Sequence, residues 1–431
     1  MTTAARAAAL RQRAQATAQS PIELEALHGA HNYHPLPVVL TRGAGVYLFD
    51  DSGRRYLDMM SAYSAVSFGH SHPVLVNALT EQAQKLAVTS RAFHTDQLGP
   101  FLQTLCRLTG MARALPMNSG AEAVETAIKA ARKWAYKVKG VAQGRAHIIV
   151  AEGNFAGRTT TIVGFSTEAQ YRDGFGPFAP GFSAVPFGDA KALEAAITPD
   201  TAAFIVEPIQ GEAGIVVPPV GYLKAVREIC TRHNVLMICD EVQTGLGRTG
   251  ALLACGLEGV KPDGLMLGKA LGGGLLPVSA FLSREDVMAQ FTPGDHGSTF
   301  GGNPLAAAVG RAALELLESE QLSQRAHEQG EYLMARLRGL KHPAITEVRG
   351  RGLLVGVQID PSFASAREVC ERLMGEGVLT KDTHHTVVRL APPLVIEREQ
   401  VDAAVDALQR VLLAIDAQKQ ASLRAQAVQV G

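Results

Sequence analysis

Cysteine is scarce and scattered. The five in 431 residues (Cys106, Cys230, Cys239, Cys255 and Cys370) form no Cys-x-x-Cys and no Cys/His set of zinc spacing. That leaves no disulfide framework and no structural metal, and it points to a reducing compartment, here the cytoplasm. An excess of either charge is missing too: Lys+Arg and Asp+Glu both total 41. The basic surface of a nucleic-acid or membrane-surface binder is therefore not expected, and small molecules are the expected partners. A membrane-length apolar run is also lacking. The nearest approach, Gly264 to Ser283, carries Lys269 as its only charge but holds five glycines and Pro277, so it reads as strand, turn and strand in a buried core. No acid precedes Glu23. Residues 1–20 read as a flexible N-terminal arm, although the same letters describe a weak mitochondrial presequence.

What is present suits a glycine-rich α/β enzyme: 47% hydrophobic residues, 19% charged residues and 43 glycines. The length fits two or three domains at roughly 150 residues each. Between about Asp96 and Phe300, helical patterns alternate with the apolar runs Ala146 to Ala151, Ala203 to Val206, Val235 to Cys239, Gly264 to Leu267 and Val278 to Leu282. Runs apolar throughout predict strands covered on both faces, hence a doubly wound, mainly parallel sheet. Past Pro304, a long helical stretch and smaller sets of strands and helices predict a second, α+β domain. Residues 45–58 read as a hairpin with an Asp-Ser-Gly turn that packs against it.

Three short segments carry candidate chemistry. In Asn118-Ser-Gly-Ala-Glu122, Ser119 and Glu122 have capping-box spacing before a helical run, and Gly120 would let the backbone approach a ligand. Free amides at a helix start suit a phosphate, and an ordinary capped helix satisfies the same pattern. The apolar strand Val235-Leu-Met-Ile-Cys-Asp-Glu241 ends in two acids, at the strand edge where open α/β sheets bind ligands. Asp240 is there a metal ligand, a counter-ion to a cationic heterocycle, or an acid that starts a solvated loop. In Leu267-Gly-Lys-Ala-Leu-Gly-Gly-Gly274, desolvation would bring Lys269 toward a nucleophilic, Schiff-base-forming amine; a snorkelling or salt-bridged lysine is the other reading. The segment Gly245-Leu-Gly-Arg-Thr-Gly250 matches G-x-G-x-x-G but begins five residues past its strand with no clear helix after it. An NAD(P)-binding Rossmann enzyme is the different-class alternative that it raises.

An anion seat, a carboxylate and a lysine are what chemistry on a pyridoxal phosphate ring needs. At this point the sequence resembles the class-III pyridoxal-phosphate aminotransferases of fold type I, from about His28 to the C-terminal helix. Asp240-Glu-Val-Gln243, Lys269 twenty-nine positions on, and Gly297-Ser-Thr-Phe-Gly-Gly-Asn-Pro304 carry the likeness. A narrower resemblance, to the ornithine aminotransferase family, rests on His31-Asn-Tyr-His-Pro-Leu-Pro37, Ser61-Ala-Tyr-Ser-Ala-Val66, Gly174-Phe-Gly-Pro-Phe178 and Val206-Glu-Pro-Ile-Gln-Gly-Glu-Ala-Gly214.

The resemblance implies a large cofactor domain over residues 66–304 and a small α+β domain over 305–431, with 21–65 packing on the latter. It implies pyridoxal 5'-phosphate held covalently by Lys269, with Asp240 on the ring nitrogen, Gln243 on the phenolic oxygen and Phe155 stacked on the ring. Gly120 and Ala121 would offer amides to the phosphate, and Ser298 and Thr299 would reach the neighbouring subunit's cofactor in a homodimer. Tyr33 and Arg158 would hold ornithine's α-carboxylate, and Tyr63 would shape the specificity pocket. Arg389 and Arg158 would take the two carboxylates of 2-oxoglutarate, and Glu212 would cover Arg389 during the ornithine half-reaction. Acetylornithine and 4-aminobutyrate aminotransferases share the cofactor site and differ in substrate grip.

Overall fold

The computed structural model describes residues 19–430, with side chains to residue 426. The expected arm over residues 1–20 therefore lies, but for its last two residues, outside the described ones. Of these, the residues up to Arg42 together with Leu48–Arg55 form one compact unit, and Gly43–Tyr47 with everything from Tyr56 onward forms another.

The first unit holds the helix Pro21–His28, started by a capping box between Ser20 and Glu23. It also holds the turn after Asp50, whose Oδ1 accepts from the amides of Ser52 (3.0 Å) and Arg54 (2.8 Å). Gly53 supplies the left-handed residue of that turn, φ +85°. In chain order the first strands are β1 (Leu40–Ala44), β2 (Tyr47–Asp50) and β3 (Arg55–Asp58).

The second unit is built on seven strands: β4 (Arg113–Met117), β5 (His147–Ala151), β6 (Phe182–Val185), β7 (Thr201–Val206), β8 (Leu236–Asp240), β9 (Gly264–Leu267) and β10 (Ser279–Ser283). Their order is β4-β10-β9-β8-β7-β5-β6. The pairs from β9 through β6 are parallel, and β10 runs antiparallel to both of its neighbours. This is the doubly wound, mainly parallel sheet expected. Alternation assigns successive residues to opposite faces. Ile149, Phe204, Val206, Met237, Cys239, Leu265 and Leu267 enter one core, while Ile148, Val150, Ala203, Ile205, Leu236, Ile238 and Met266 enter another. A strand with a core on each side has no polar position to offer, which is why these runs are apolar throughout.

The second core is closed by the helix Gly120–Trp134, whose small inward residues Ala123, Ala127 and Ala131 let it lie close on the sheet. The first core takes the helix Tyr222–Arg232 through Leu223, Val226 and Cys230. Further along, β11 (Ile345–Arg351), β12 (Leu354–Ile359), β13 (Val378–Leu379), β14 (Asp382–Thr383) and β15 (Val387–Leu390) follow. Four of them form an antiparallel sheet in the order β11-β12-β15-β14. Leu57 and Asp58 of β3 pair in parallel with Val378 and Leu379 of β13. Among the described residues no helix is long and apolar enough to cross a membrane, and no three His, Cys, Asp or Glu side chains cluster as metal ligands.

Candidate active site

Three adjacent strands deliver the central charges. β7 runs directly into Glu207, β8 ends on Asp240, and Lys269 comes two residues after β9. Because the order is β9-β8-β7, the acid of β8 lies between the other two. Asp240 is 6% exposed, and its Oδ1 accepts the amide of Val242 at 3.0 Å. Burial pushes its carboxyl up to about 6, against that amide and the charge of Lys269. Burial likewise draws the Lys269 ammonium down to about 8, opposed by Glu212 and assisted by Arg389. Lys269 has φ +44°, a left-handed backbone that a β-carbon disfavours. Such strain is held where the fold must aim a side chain, and here it turns the lysine out of the strand line.

Glu207 was not among the expected site residues. Its two oxygens accept the amides of Phe155 (3.0 Å) and Gly211 (3.2 Å), and burial, followed by the charge of Asp240, pushes it up to about 8. A usable signal lies in the sequence: Ala203 to Val206 ends in an acid as Val235 to Cys239 does.

The Gln210–Glu212 loop brings the next group together. Gln243 Nε2 donates to Glu212 Oε1 at 3.2 Å, and Arg389 Nη1 donates to the same oxygen at 2.9 Å. Arg389 is 1% exposed, and its Nη2 also donates to the carbonyl of Gly211 at 3.3 Å. Burial alone would raise the Glu212 carboxyl, but the Arg389 guanidinium holds it at about 2. The other end of the Gln243 amide, Oε1, is buried without a hydrogen-bond partner.

Arg389 stands 5.1 Å from the ring of Tyr63. Tyr63 is presented by a run of four left-handed residues, Ser61 (φ +44°), Ala62 (+46°), Tyr63 (+59°) and Ser64 (+76°). Each costs roughly 1–2 kcal/mol relative to right-handed backbone. The run is tied at its start by Asp58 Oδ1, which accepts the amides of Met60 and Ser61 at 2.8 Å each.

At the start of the helix Gly120–Trp134 the capping box forms: Ser119 Oγ accepts the amide of Glu122, and Glu122 Oε2 accepts that of Ser119. The amide of Ala123 goes to the carbonyl of Ser119, so those of Gly120 and Ala121 are left pointing out of the helix end. Gly120 lines a cavity of about 390 Å³ whose wall also includes Asn118, Ser119, Lys269, Ala62 and Val66. A β-carbon on Gly120 would sit 3.0 Å from Val242 Cγ1, so the glycine also makes room for the valine side chain of the Asp240 loop.

Phe155 and Arg158 lie beside this group: the Arg158 guanidinium is 3.8 Å from the Tyr171 ring and 5.4 Å from that of Phe155. Ser298 Oγ accepts from Asn118 Nδ2 at 2.8 Å within its own chain, whereas Thr299 is exposed. Tyr33 belongs to the first unit and is exposed there. Gly245–Gly250 forms turns rather than a helix start, and its arginine is buried, so the segment lacks the strand-to-helix setting of a dinucleotide site.

Lys269 and the start of the helix Gly120–Trp134 line one cavity, and the buried Asp240 carboxylate on the adjacent strand interacts with the lysine's charge. The chain belongs to the aminotransferase class-III family, whose profile it matches over residues 28–412. It is 59% identical over 384 residues to the ornithine aminotransferase of Bordetella pertussis, covering 89% of this chain and 93% of that one. A crystal structure of the Toxoplasma gondii ornithine aminotransferase, described as holding PLP at partial occupancy in its active site, superposes with a TM-score of 0.91. The two are 44% identical, over 93% of this chain and 95% of that one. The acetylornithine aminotransferase of Elizabethkingia anophelis gives a TM-score of 0.83 at 50% identity, over 91% of this chain and 98% of that one.

Proposed function

We propose that this aminotransferase moves the δ-amino group of L-ornithine to 2-oxoglutarate in two half-reactions. The products are glutamate 5-semialdehyde, which cyclises to pyrroline-5-carboxylate, and glutamate. The cofactor is pyridoxal 5'-phosphate. When bound, it supplies an aldehyde that takes the amine and a ring that accepts the electron pair left when the adjacent carbon loses its proton.

The residues present fit that group. Lys269 would hold it covalently and would carry the proton. Asp240 keeps the ring nitrogen protonated, and the partnerless Gln243 Oε1 accepts the ring hydroxyl. The amides of Gly120 and Ala121 take the phosphate, and Phe155 covers the ring. In a cytoplasmic homodimer, the Ser298–Thr299 segment of a second copy reaches the same cofactor, Thr299 being the exposed member.

The observation that carries the substrate assignment is the Glu212–Arg389 pair, 2.9 Å apart beside Tyr63. An uncovered Arg389 would bind ornithine's α-carboxylate and present the α-amine to the reaction. With Glu212 on it, the α-carboxylate is left to Arg158, and the δ-amine reaches the cofactor. When 2-oxoglutarate arrives, Glu212 moves aside and Arg389 forks onto the α-carboxylate while Arg158 takes the distal one. Because the Glu212 carboxyl is held at about 2, the cover stays charged at any working pH.

A panel of ornithine, N-acetylornithine and 4-aminobutyrate against 2-oxoglutarate tests the assignment. Ornithine should be preferred over both, and a preference for N-acetylornithine would move the chain to the acetylornithine branch. Glu212→Ala sharpens the test. It should slow the ornithine half-reaction by about tenfold to a hundredfold, the worth of a charge-assisted pair, and admit some α-transamination. The 2-oxoglutarate half-reaction should be spared. Single-turnover spectra that slow equally in both halves, with regiospecificity intact, would reduce Glu212 to a structural residue.

A further inference from the structure

The Gly245–Gly250 segment holds one residue that the site described above does not use. Arg248 is fully buried, 0% exposed, and its guanidinium reaches three separate stretches of chain. Nη1 donates to the carbonyls of Leu353 (3.0 Å) and Pro392, and Nη2 donates to Ser61 Oγ and Ser67 Oγ at 3.1 Å each. The acid that supports it electrostatically, Asp58, gives its own oxygens to the amides of Met60 and Ser61 and to His70. Arg248 Nε is left without a partner. A charge held this way gains no ion pair in return for its lost hydration, so it is weak evidence of a device for stability.

What the guanidinium touches suggests a different use. Ser61 opens the left-handed run that presents Tyr63. Ser67 closes the same loop, its own Oγ donating to the carbonyl of Ser64 at 3.0 Å. Pro392 follows Arg389 by three residues, and Ser61 Oγ donates to the carbonyl of Ala391 at 2.7 Å. The backbone of Arg248 continues the chain that carries Asp240 and Gln243. Its carbonyl accepts the amide of Leu353 at 3.0 Å, a close approach made possible by Gly352, where a β-carbon would fall 2.8 Å from that carbonyl oxygen.

We infer that Arg248 is a positioning residue for the transamination: from inside the core its guanidinium fixes the Tyr63 loop against the chain that follows Arg389, and so sets the spacing of the two side chains that grip the substrate. Four directed donors from one planar group can hold two loops in a single arrangement, which a lysine with one nitrogen cannot reproduce. The inference rests on the proposed roles of Tyr63 and Arg389, while Arg248 itself touches neither substrate nor cofactor.

Ser67→Ala is the decisive variant, because it removes one of the guanidinium's two bonds to the loop, together with the Ser67–Ser64 bond, while leaving the buried charge, its bond to Ser61 Oγ and its carbonyl bonds in place. Hydrogen exchange of the amides of residues 61–67 should rise about tenfold, in apoprotein and holoenzyme alike, with strands β7 and β8 unchanged, as expected for losing a bond to a charged group. The KM for ornithine should rise about five- to tenfold on the same ground, with kcat within about twofold and the cofactor absorbance unaltered. Arg248→Lys should shift exchange and KM in the same direction and further, with some α-transamination. Faster exchange with an unchanged KM, or no change in either, would overturn the inference and leave Arg248 a packing residue; this holds whether or not the lysine variant folds. A wild-type enzyme that ignores ornithine would instead defeat the substrate reading, an outcome seen before any variant is made.

Discussion

Lys269→Ala is expected to remove transamination altogether while the protein keeps its fold and still binds pyridoxal phosphate without a covalent bond. Two functions disappear with one amine. Loss of a positioned proton carrier alone is worth on the order of 10²–10⁴ in rate, and the covalent hold on the cofactor goes as well. The truncation disturbs little of the fold, since Lys269 opens a short 3₁₀ helix and lines a cavity. In the wild-type apoprotein the neutral amine is the nucleophile. With its ammonium drawn down to about 8, covalent capture of pyridoxal phosphate should quicken as pH rises through 8 and level off above it. Borohydride reduction followed by peptide mapping should place the pyridoxyl group on Lys269; recovery on another lysine would end the assignment.

Asp240→Asn should fold normally and lose roughly 10²–10³ in kcat, the scale for removing one preorganised charge from an active site. The reason lies in what the carboxylate does to a cation beside it. A close ion pair raises the cation's pKa by about 1–3 units, and a neutral amide does not, so the ring nitrogen would stay largely unprotonated. Asp240 is poised for this. Burial, set against the Val242 amide and the Lys269 charge, brings its carboxyl up to about 6, which still leaves it mostly ionised at neutral pH, and a bound cation would draw it lower. Both half-reactions should slow together, which separates this variant from Glu212→Ala. Near-normal turnover would mean that another group serves the ring.

The five strands read from the sequence are those with a core on each face. The two that were not read, β4 and β6, are the outer strands of the sheet. An edge position relaxes the demand for apolar residues: β4 carries an exposed Arg113 and includes Pro116, and β6 leaves Ala184 exposed. Asp240, Lys269 and the Ser119 capping box were legible because each interrupts or ends a strong local pattern. Glu207 was passed over because one acid after an apolar run says nothing of its neighbour on the next strand. The left-handed run Ser61–Ser64 contains no glycine to announce it. Its backbone is held by the nearby Asp58 and, from a distant part of the chain, by Arg248, and no local window contains the arginine. That Gly120 also makes room for Val242 is a contact between distant parts of the chain, which sequence alone does not show.

The succession Lys269, Asp240, Glu207 along β9, β8 and β7 makes the sheet a ruler for the site. Neighbouring strands stand about 4.8 Å apart by hydrogen bonding alone, so the lateral spacing of the three groups is fixed in steps that no loop can stretch. Insertions and deletions in the connections beyond the strands can therefore re-tailor what the pocket grips while the reacting centre keeps its gauge. A single-residue deletion inside β8 has the opposite consequence. It would trade the sheet's two cores along that strand and turn the Asp240 carboxylate to the wrong face. Change in the connections is thus channelled into the rim, while the interval between Lys269, Asp240 and Glu207 is set by the sheet.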